Sequence, residues 1–275
     1  MHARRIAVAL TVLAAPLLLT GADDKKKPPY RGKEAAMKLF AEEFVLIWPG
    51  KGNFPASFRM GTADGRKDEQ PVREVKFKNP FAMAKYEVTQ ELYASLMGKN
   101  PAKWQGPRNS VEMTSYMEAV EFCKRATAEM RKAKLLVEDV EIRLPSEAEW
   151  EYCCRAGTTT PFSFANEKDI ADYCWYKPNS EGYDPAVGTK KPNPWGLHEM
   201  HGYVWEWVAD SWHDSYKDAP AAGSAWLEKD AKEYVVRGGA FNSEADRCRS
   251  AAREKRGADF RKDDLGFRCV KANVK

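Results

Sequence analysis

The sequence is poor in the side chains that most enzymes recruit. It has four histidines, His2, His198, His201 and His213, and lacks an HExxH motif, a glycine-rich phosphate loop and a Ser/His/Asp order. Zincin, phosphate-loop and serine-hydrolase chemistries therefore lack their residues. No sign of charge dominates: 44 Lys and Arg oppose 40 Asp and Glu, a formal net charge of +4. Acids and bases interleave beyond the N-terminal tail, with no basic stripe carrying spaced aromatics, which excludes a nucleic-acid partner. Six cysteines are present, Cys123, Cys153, Cys154, Cys174, Cys248 and Cys269, but no CxxC pair, so zinc is not indicated.

Long apolar runs are equally scarce. The single one, residues 6–19, follows Arg4 and Arg5 and precedes the small residues Thr20, Gly21 and Ala22. It is shorter than the roughly 20 residues of a comfortable membrane span and has the form of a secretion signal over residues 1–22. An uncleaved anchor is the alternative. No cysteine follows the run, so a lipid-anchored mature end is not indicated, and no membrane span is expected beyond the signal. The expected location is periplasmic or extracellular. In that oxidising setting six cysteines permit up to three bridges.

Hydrophobic residues, by contrast, make up 43% of the 275 residues, aromatics 12%, and there are nine tryptophans. That is ample for a core in one large domain or two small ones. Three of the tryptophans fall in residues 192–210, where Glu206 lies between Trp205 and Trp207. A buried, isolated charge is costly. Glu206 therefore calls for hydrogen-bond donors, an arginine or a metal ion, unless it faces water on an amphipathic strand.

Around this stretch the elements are short. Residues 34–48 carry apolar positions near helical spacing, after a charged leader from residue 23. Residues 54–86 are β-rich and punctuated by Gly and Pro, and Thr89 is a plausible N-cap. Residues 114–132 are the clearest helix, with Ala119, Val120, Cys123, Ala126 and Met130 on one stripe and a Ser115/Glu118 capping box. A second box, Ser146/Glu149, opens a helix whose Glu147, Glu149 and Glu151 are expected in solvent near its positive end. Residues 157–210 hold few regular elements, so packed tryptophans, disulfides or a bound metal must fix them. Strands are expected at 233–240 and near the end, and His198 and His201 are taken as a chance pair.

The motifs then line up in order: FRMG, P-F-x-M-x-K-Y-E-V-T, R-L-P-S-E-A-E-W-E-Y, P-N-P-W-G-L-x-E-M-x-G-x-V-W-E-W, V-V-R-G-G, R-S-A-A-R and G-F-R. The set resembles the formylglycine-generating enzyme family, also called the sulfatase-modifying-factor family, over residues 54–272. The resemblance implies an α+β fold of the C-type-lectin-like kind with little regular secondary structure, occupying residues 49–275 after a leader and helix at 23–48. Family enzymes oxidise a sulfatase cysteine to formylglycine with O2 and a copper(I) ion held by two thiolates, soft ligands that suit that ion. They also carry calcium on carboxylates and carbonyls. By resemblance, one calcium set is Glu206 with the carbonyls of His201, Gly202 and Val204; Tyr203 departs from the usual Asn. A second is Asp172 and Glu181 with the carbonyls of Tyr173 and Tyr183. Cys154 and Cys269 match a family disulfide, which would close a loop of more than a hundred residues and contribute on the order of 4–5 kcal/mol.

The copper pair does not carry over. Counted from Gly239, Ser243 takes the first cysteine position and Cys248 the second; counted back from Ala251-Ala252-Arg253, the segment is shorter and Cys248 falls on neither, so either way one thiolate is missing. A serine hydroxyl stays protonated near neutral pH and binds copper(I) poorly. The expected function is an exported binding or accessory scaffold for a protein, peptide or glycan, with calcium but without the oxidase. The alternative is an active formylglycine-generating oxidase that pairs Cys248 with a thiol from elsewhere, Cys123, Cys153 or Cys174. Arg237, Arg249, Arg253 and Arg268 are expected to pair with buried acids near the glycines.

Overall fold

The computed structural model describes residues 30–181 and 184–274; the expected signal and Tyr183 lie outside the described residues. In chain order the elements are Lys33–Glu42 (α1), Phe44–Ile47 (β1), Ser57–Met60 (β2), Arg73–Lys76 (β3), Phe81–Ala84 (β4), Gln90–Met97 (α2), Tyr116–Lys132 (α3) and Val140–Arg143 (β5). Glu147–Arg155 (α4), Ile170–Tyr173 (α5), Trp205–Ser211 (β6), Glu233–Arg237 (β7), Arg253–Gly257 (β8), Leu265–Gly266 (β9) and Val270–Asn273 (β10) complete the fold. This is the α+β organisation expected, with no described strand longer than seven residues.

Local chemistry sets the helix starts. Ser115 accepts from Glu118 N, Ser146 accepts from Glu149 N, and both capping boxes are closed by the reciprocal glutamate. The apolar stripe of α3 buries Ala119, Cys123, Ala126 and Met130 together with Phe122. Thr89 occupies the N-cap of α2 without a side-chain cap bond; its backbone instead bridges Ser110.

Two four-stranded sheets, in the orders β1-β4-β10-β5 and β8-β7-β6-β9, carry the body, with β2-β3 as a separate hairpin. Strand β6 contributes to both main cores, one covered by α3 and the other holding α4. Side chains alternate across a strand, and β6 uses this fully: Trp205 and Trp207 enter the core beneath α3. Val208 enters the core around Trp150 and Trp195, and Glu206 shares its face. The tryptophans that flank Glu206 in sequence are thus on the opposite face of the sheet.

The body also begins earlier than residue 49. Ala36, Met37 and Phe40 of α1 enter the main core, and β1 pairs with β4 from Phe44↔Ala84 to Ile47↔Phe81. The irregular segment after α4 is held by side chains in place of ladders. Asn193 donates to Cys153 O at 2.7 Å and accepts from Trp195 N and Leu197 N. Trp195 packs edge-on against Phe54 and Tyr152, both at 4.8 Å between centroids.

Candidate functional site

Glu206 is wholly buried, and its charge is met by an arginine. Arg268 Nε donates to one oxygen and Nη2 to the other, each at 2.7 Å, and Trp150 Nε1 donates at 2.8 Å. Of the three options open to Glu206, the structure takes arginine and donors. Burial opposes the charge on Arg268, yet Glu206 and Glu87 outweigh it and raise its pKa. Glu87 lies 3.5 Å from Arg268, but neither of its oxygens has a hydrogen-bond partner. Burial pushes its carboxyl well above the usual range. Nearby Glu199 accepts from Gly188 N with both oxygens at 3.0 Å, and burial raises it to about 7. Sequence reasoning named neither acid as a site residue.

Below the paired glycines Gly238 and Gly239 lies a second network. The helix acids Glu147, Glu149 and Glu151, expected in solvent, are buried instead. Helix α4 packs on β6 and β7, and the arginines that meet its acids come from β5, β7 and β8. Arg237 Nη2 reaches Glu151 at 2.5 Å, and Arg253 donates to Glu147 through Nε at 2.7 Å and Nη2 at 2.9 Å. Arg143 grips Glu149 with two bonds of 2.7 Å, and Arg249 grips buried Glu69 at 2.8 and 3.0 Å. Burial works against the Glu151 carboxylate, but Arg155 and Arg237 hold it below its usual range. The four arginines singled out from the sequence all pair with buried acids.

The side chains of Glu206, His201 and Asp172, expected around calcium, have the following partners. Glu206 is taken as described, and Gly202 N–H turns to Gly238 O at 2.7 Å. The carbonyl of Val204 lies 3.8 Å from where a Cβ on Gly238 would stand. The His201 ring is buried between Cys248 O, 2.8 Å from Nδ1, and Ser163 Oγ, 2.9 Å from Nε2; burial lowers its pKa to about 4. His198 faces elsewhere, with Nδ1 2.9 Å from Lys190 O. Asp172 pairs with Lys191 at 2.7 Å on the surface. Tyr173 stacks on Phe164 at 4.6 Å, and Glu181 is exposed. Among the described residues no group of three or more His, Cys, Asp or Glu is placed to hold a metal.

The cysteines correct the expected pairing. Cys269 Sγ lies 3.8 Å from Cys123 Sγ, because the segment between β9 and β10 puts Phe267 and Cys269 into the core that α3 covers. Cys154 faces the other way, 3.6 Å from Ser250 Oγ and 3.7 Å from His201 Nε2, and burial raises its pKa to about 12. The Cys154–Cys269 bridge is therefore not the pair the fold assembles. Ser243 Oγ accepts from Ala240 N at 3.0 Å. Cys248 turns inward and meets Cys174 in a small apolar cluster with Phe162, Phe164 and Ile170. Spacing had left the partner of Cys248 open among three candidates; a shared buried cluster selects one. Outside that cluster, residues 158–160, Ser163, Phe164, Tyr173, Pro192 and Pro194 line an open cleft of about 660 Å³.

Short strands, capped helices and glycine turns fastened over buried arginine–carboxylate pairs define a formylglycine-generating-enzyme-like fold. The profile described as sulfatase-modifying factor enzyme 1-like domain matches residues 34–273, and the chain belongs to that family. The solved structure of PvdO from Pseudomonas aeruginosa is 32% identical and superposes with a TM-score of 0.71 over 84% of this chain and 94% of its own. The chaperone protein LppX of Paenibacillus barcinonensis is 26% identical over 196 residues, 54% of this chain and 69% of that protein. The formylglycine-generating enzyme of Mus musculus is 33% identical over 151 residues, 46% of this chain and 38% of the enzyme. The match thus spans well under half of that enzyme's length. Among the described residues no helix is long and apolar enough to cross a membrane.

Proposed function

We propose that this chain is an exported binding or accessory domain that keeps the family scaffold and lacks the copper-dithiolate oxidase. The observation that carries the reading is the state of the two oxidase positions. Ser243 offers a hydroxyl tied to Ala240 N, and Cys248 is wholly buried. An oxidase of a substrate cysteine needs two thiolates that a third sulfur can approach. Ser243 supplies no sulfur and Cys248 is sealed from solvent, so the family's own pair of positions does not fit the copper ion. The scaffold itself is intact, and a relative in Paenibacillus carries the name of a chaperone protein. The cleft beside Phe164 and Tyr173 offers threonines, aromatics and prolines, surfaces suited to a protein or peptide partner, with a glycan as the other class.

The competing oxidase reading has one specific observation in its favour, the thiol of Cys174 beside Cys248. Titration of the purified chain with copper(I), combined with O2-dependent oxidation of a cysteine peptide, separates the two. The scaffold reading expects no tight stoichiometric copper(I) site and no formylglycine. Tight one-to-one binding with turnover overturns it.

A further inference from the structure

Cys174 caps the C-terminal end of α5, and Cys248 closes the single turn Ala245–Cys248. Both side chains are fully shielded from solvent, and both lie in the one small cluster with Phe162, Phe164 and Ile170. Two glycine turns form the lid over them. A Cβ on Gly202 would stand 2.6 Å from Cys174 Sγ, and one on Gly239 would stand 2.6 Å from Cys248 Sγ. Both glycines hold positive φ, +95° and +78°, a region that glycine adopts without strain. The Gly202 N–H to Gly238 O bond of 2.7 Å locks one turn to the other, and Lys177 N to Ser243 O at 3.0 Å holds their flanks together. Ser180 Oγ adds a bond of 2.5 Å to Phe241 O. Segments far apart in sequence are thus seated with their cysteines in one cluster and glycine backbone close against each sulfur.

We propose that Cys174 and Cys248 close as a disulfide when the chain folds in an oxidising compartment, so that the sulfur at the family's second oxidase position serves as a cross-link. This rests on the scaffold reading above. The oxidant is a disulfide-bearing exchange partner, for which oxidised glutathione stands in vitro. One cysteine thiolate attacks the partner's disulfide and releases one partner thiol. The second cysteine attacks the mixed disulfide and releases the other. Two protons and two electrons leave the protein, one S–S bond forms in it, and the partner's S–S bond becomes two thiols. Attack requires access to the sulfur, and the folded chain denies it. The exchange therefore precedes closure of the glycine turns, and the finished bond is sheltered from reductant until the chain opens.

The test uses the full chain, secreted or refolded with oxidised glutathione. Free thiols are blocked with N-ethylmaleimide in guanidinium, and the protein is digested without reductant for mass mapping. The Cys174 peptide is expected to be joined to the Cys248 peptide. The bond should survive millimolar dithiothreitol in buffer and disappear when guanidinium is added. Full maleimide labelling of both cysteines, or either one linked elsewhere, overturns the proposal. Copper(I) titration of the same sample keeps the two readings apart. Labelled cysteines without a copper site remove the cross-link and leave the scaffold reading standing. Labelled cysteines with tight copper and peptide turnover remove both. A Cys174–Cys248 bond in a sample that still oxidises peptide removes the scaffold reading alone. No substitution is needed, so a variant that fails to fold cannot blur the outcome.

Discussion

Arg268 reaches Glu206 with two donors, Nε and Nη2, each 2.7 Å from a different carboxylate oxygen, with both side chains wholly buried. Breaking one partner of such a pair strands a charge and costs about 3–5 kcal/mol. Glu87, 3.5 Å from Arg268, offsets part of that loss. Glu206→Gln is therefore expected to lower stability by about 3 kcal/mol, the low end of that range, in denaturant titrations with unchanged m-value. Because Arg268 donates to both oxygens of Glu206, EGTA is expected to leave the melting temperature of the wild-type chain unmoved. A chelator-induced drop comparable to that of Glu206→Gln would contradict this.

Gly239 holds φ +78°, and a Cβ there would meet Cys248 Sγ at 2.6 Å and Arg247 O at 2.9 Å. The backbone conformation alone costs a non-glycine residue on the order of 1–3 kcal/mol. The close contacts add to that. Gly239→Ala should therefore destabilise more than Gly98→Ala, whose added Cβ meets nothing within 4 Å at φ +74°. Paired chemical denaturation of the two variants measures the difference; equal losses would contradict the close approach.

Burial depresses His201 to about 4 from an ordinary 6.5. The unfolded chain takes up this proton below 6.5, and the folded chain resists it until about 4. The contribution of the neutral ring is thus present above pH 6.5 and is lost as pH falls toward 4. His201→Gln cannot take up the proton. The stability advantage of wild type over this variant should shrink by about 3 kcal/mol across that window. Melting curves of both proteins at matched pH values check it, and a pH-independent difference would contradict it.

The 3.8 Å approach of Cys123 to Cys269 predicts which pair forms under oxidising refolding. Peptide maps should join Cys123 to Cys269 and leave Cys154 open to alkylation after denaturation. A Cys154–Cys269 linkage would contradict the placement of Cys269 beneath α3.

Part of this site was readable in the chain because charge burial obeys simple rules. Arg237, Arg249, Arg253 and Arg268 sit among glycines and aromatics, where an unpaired cation is costly, and each has its acid. The capping boxes at Ser115 and Ser146 were equally readable, since they need only local spacing. The acids of α4 were not. Glu147 and Glu151 look like the exposed acids of any helix start, and only the tertiary placement of β7 and β8 decides that Arg237 and Arg253, not water, receive them. Cysteine pairing failed for the same reason. The resemblance supplied Cys154 for Cys269, while distance in space follows the sheet, which gives Cys269 to α3. The stripe position of Cys123 was the available clue, since it placed that thiol in the core that Cys269 shares.

The two-sided character of β6 has a consequence for how the chain finds its alignment. Moving that strand by one residue along its neighbours would thrust Glu206 among the aromatic rings under α3 and press two indoles onto the Arg268 guanidinium. A shift by one position exchanges every side chain between faces. Misthreading at this point is therefore self-defeating, and the tripeptide Trp205-Glu206-Trp207 acts as a key that seats the central sheet in a single setting.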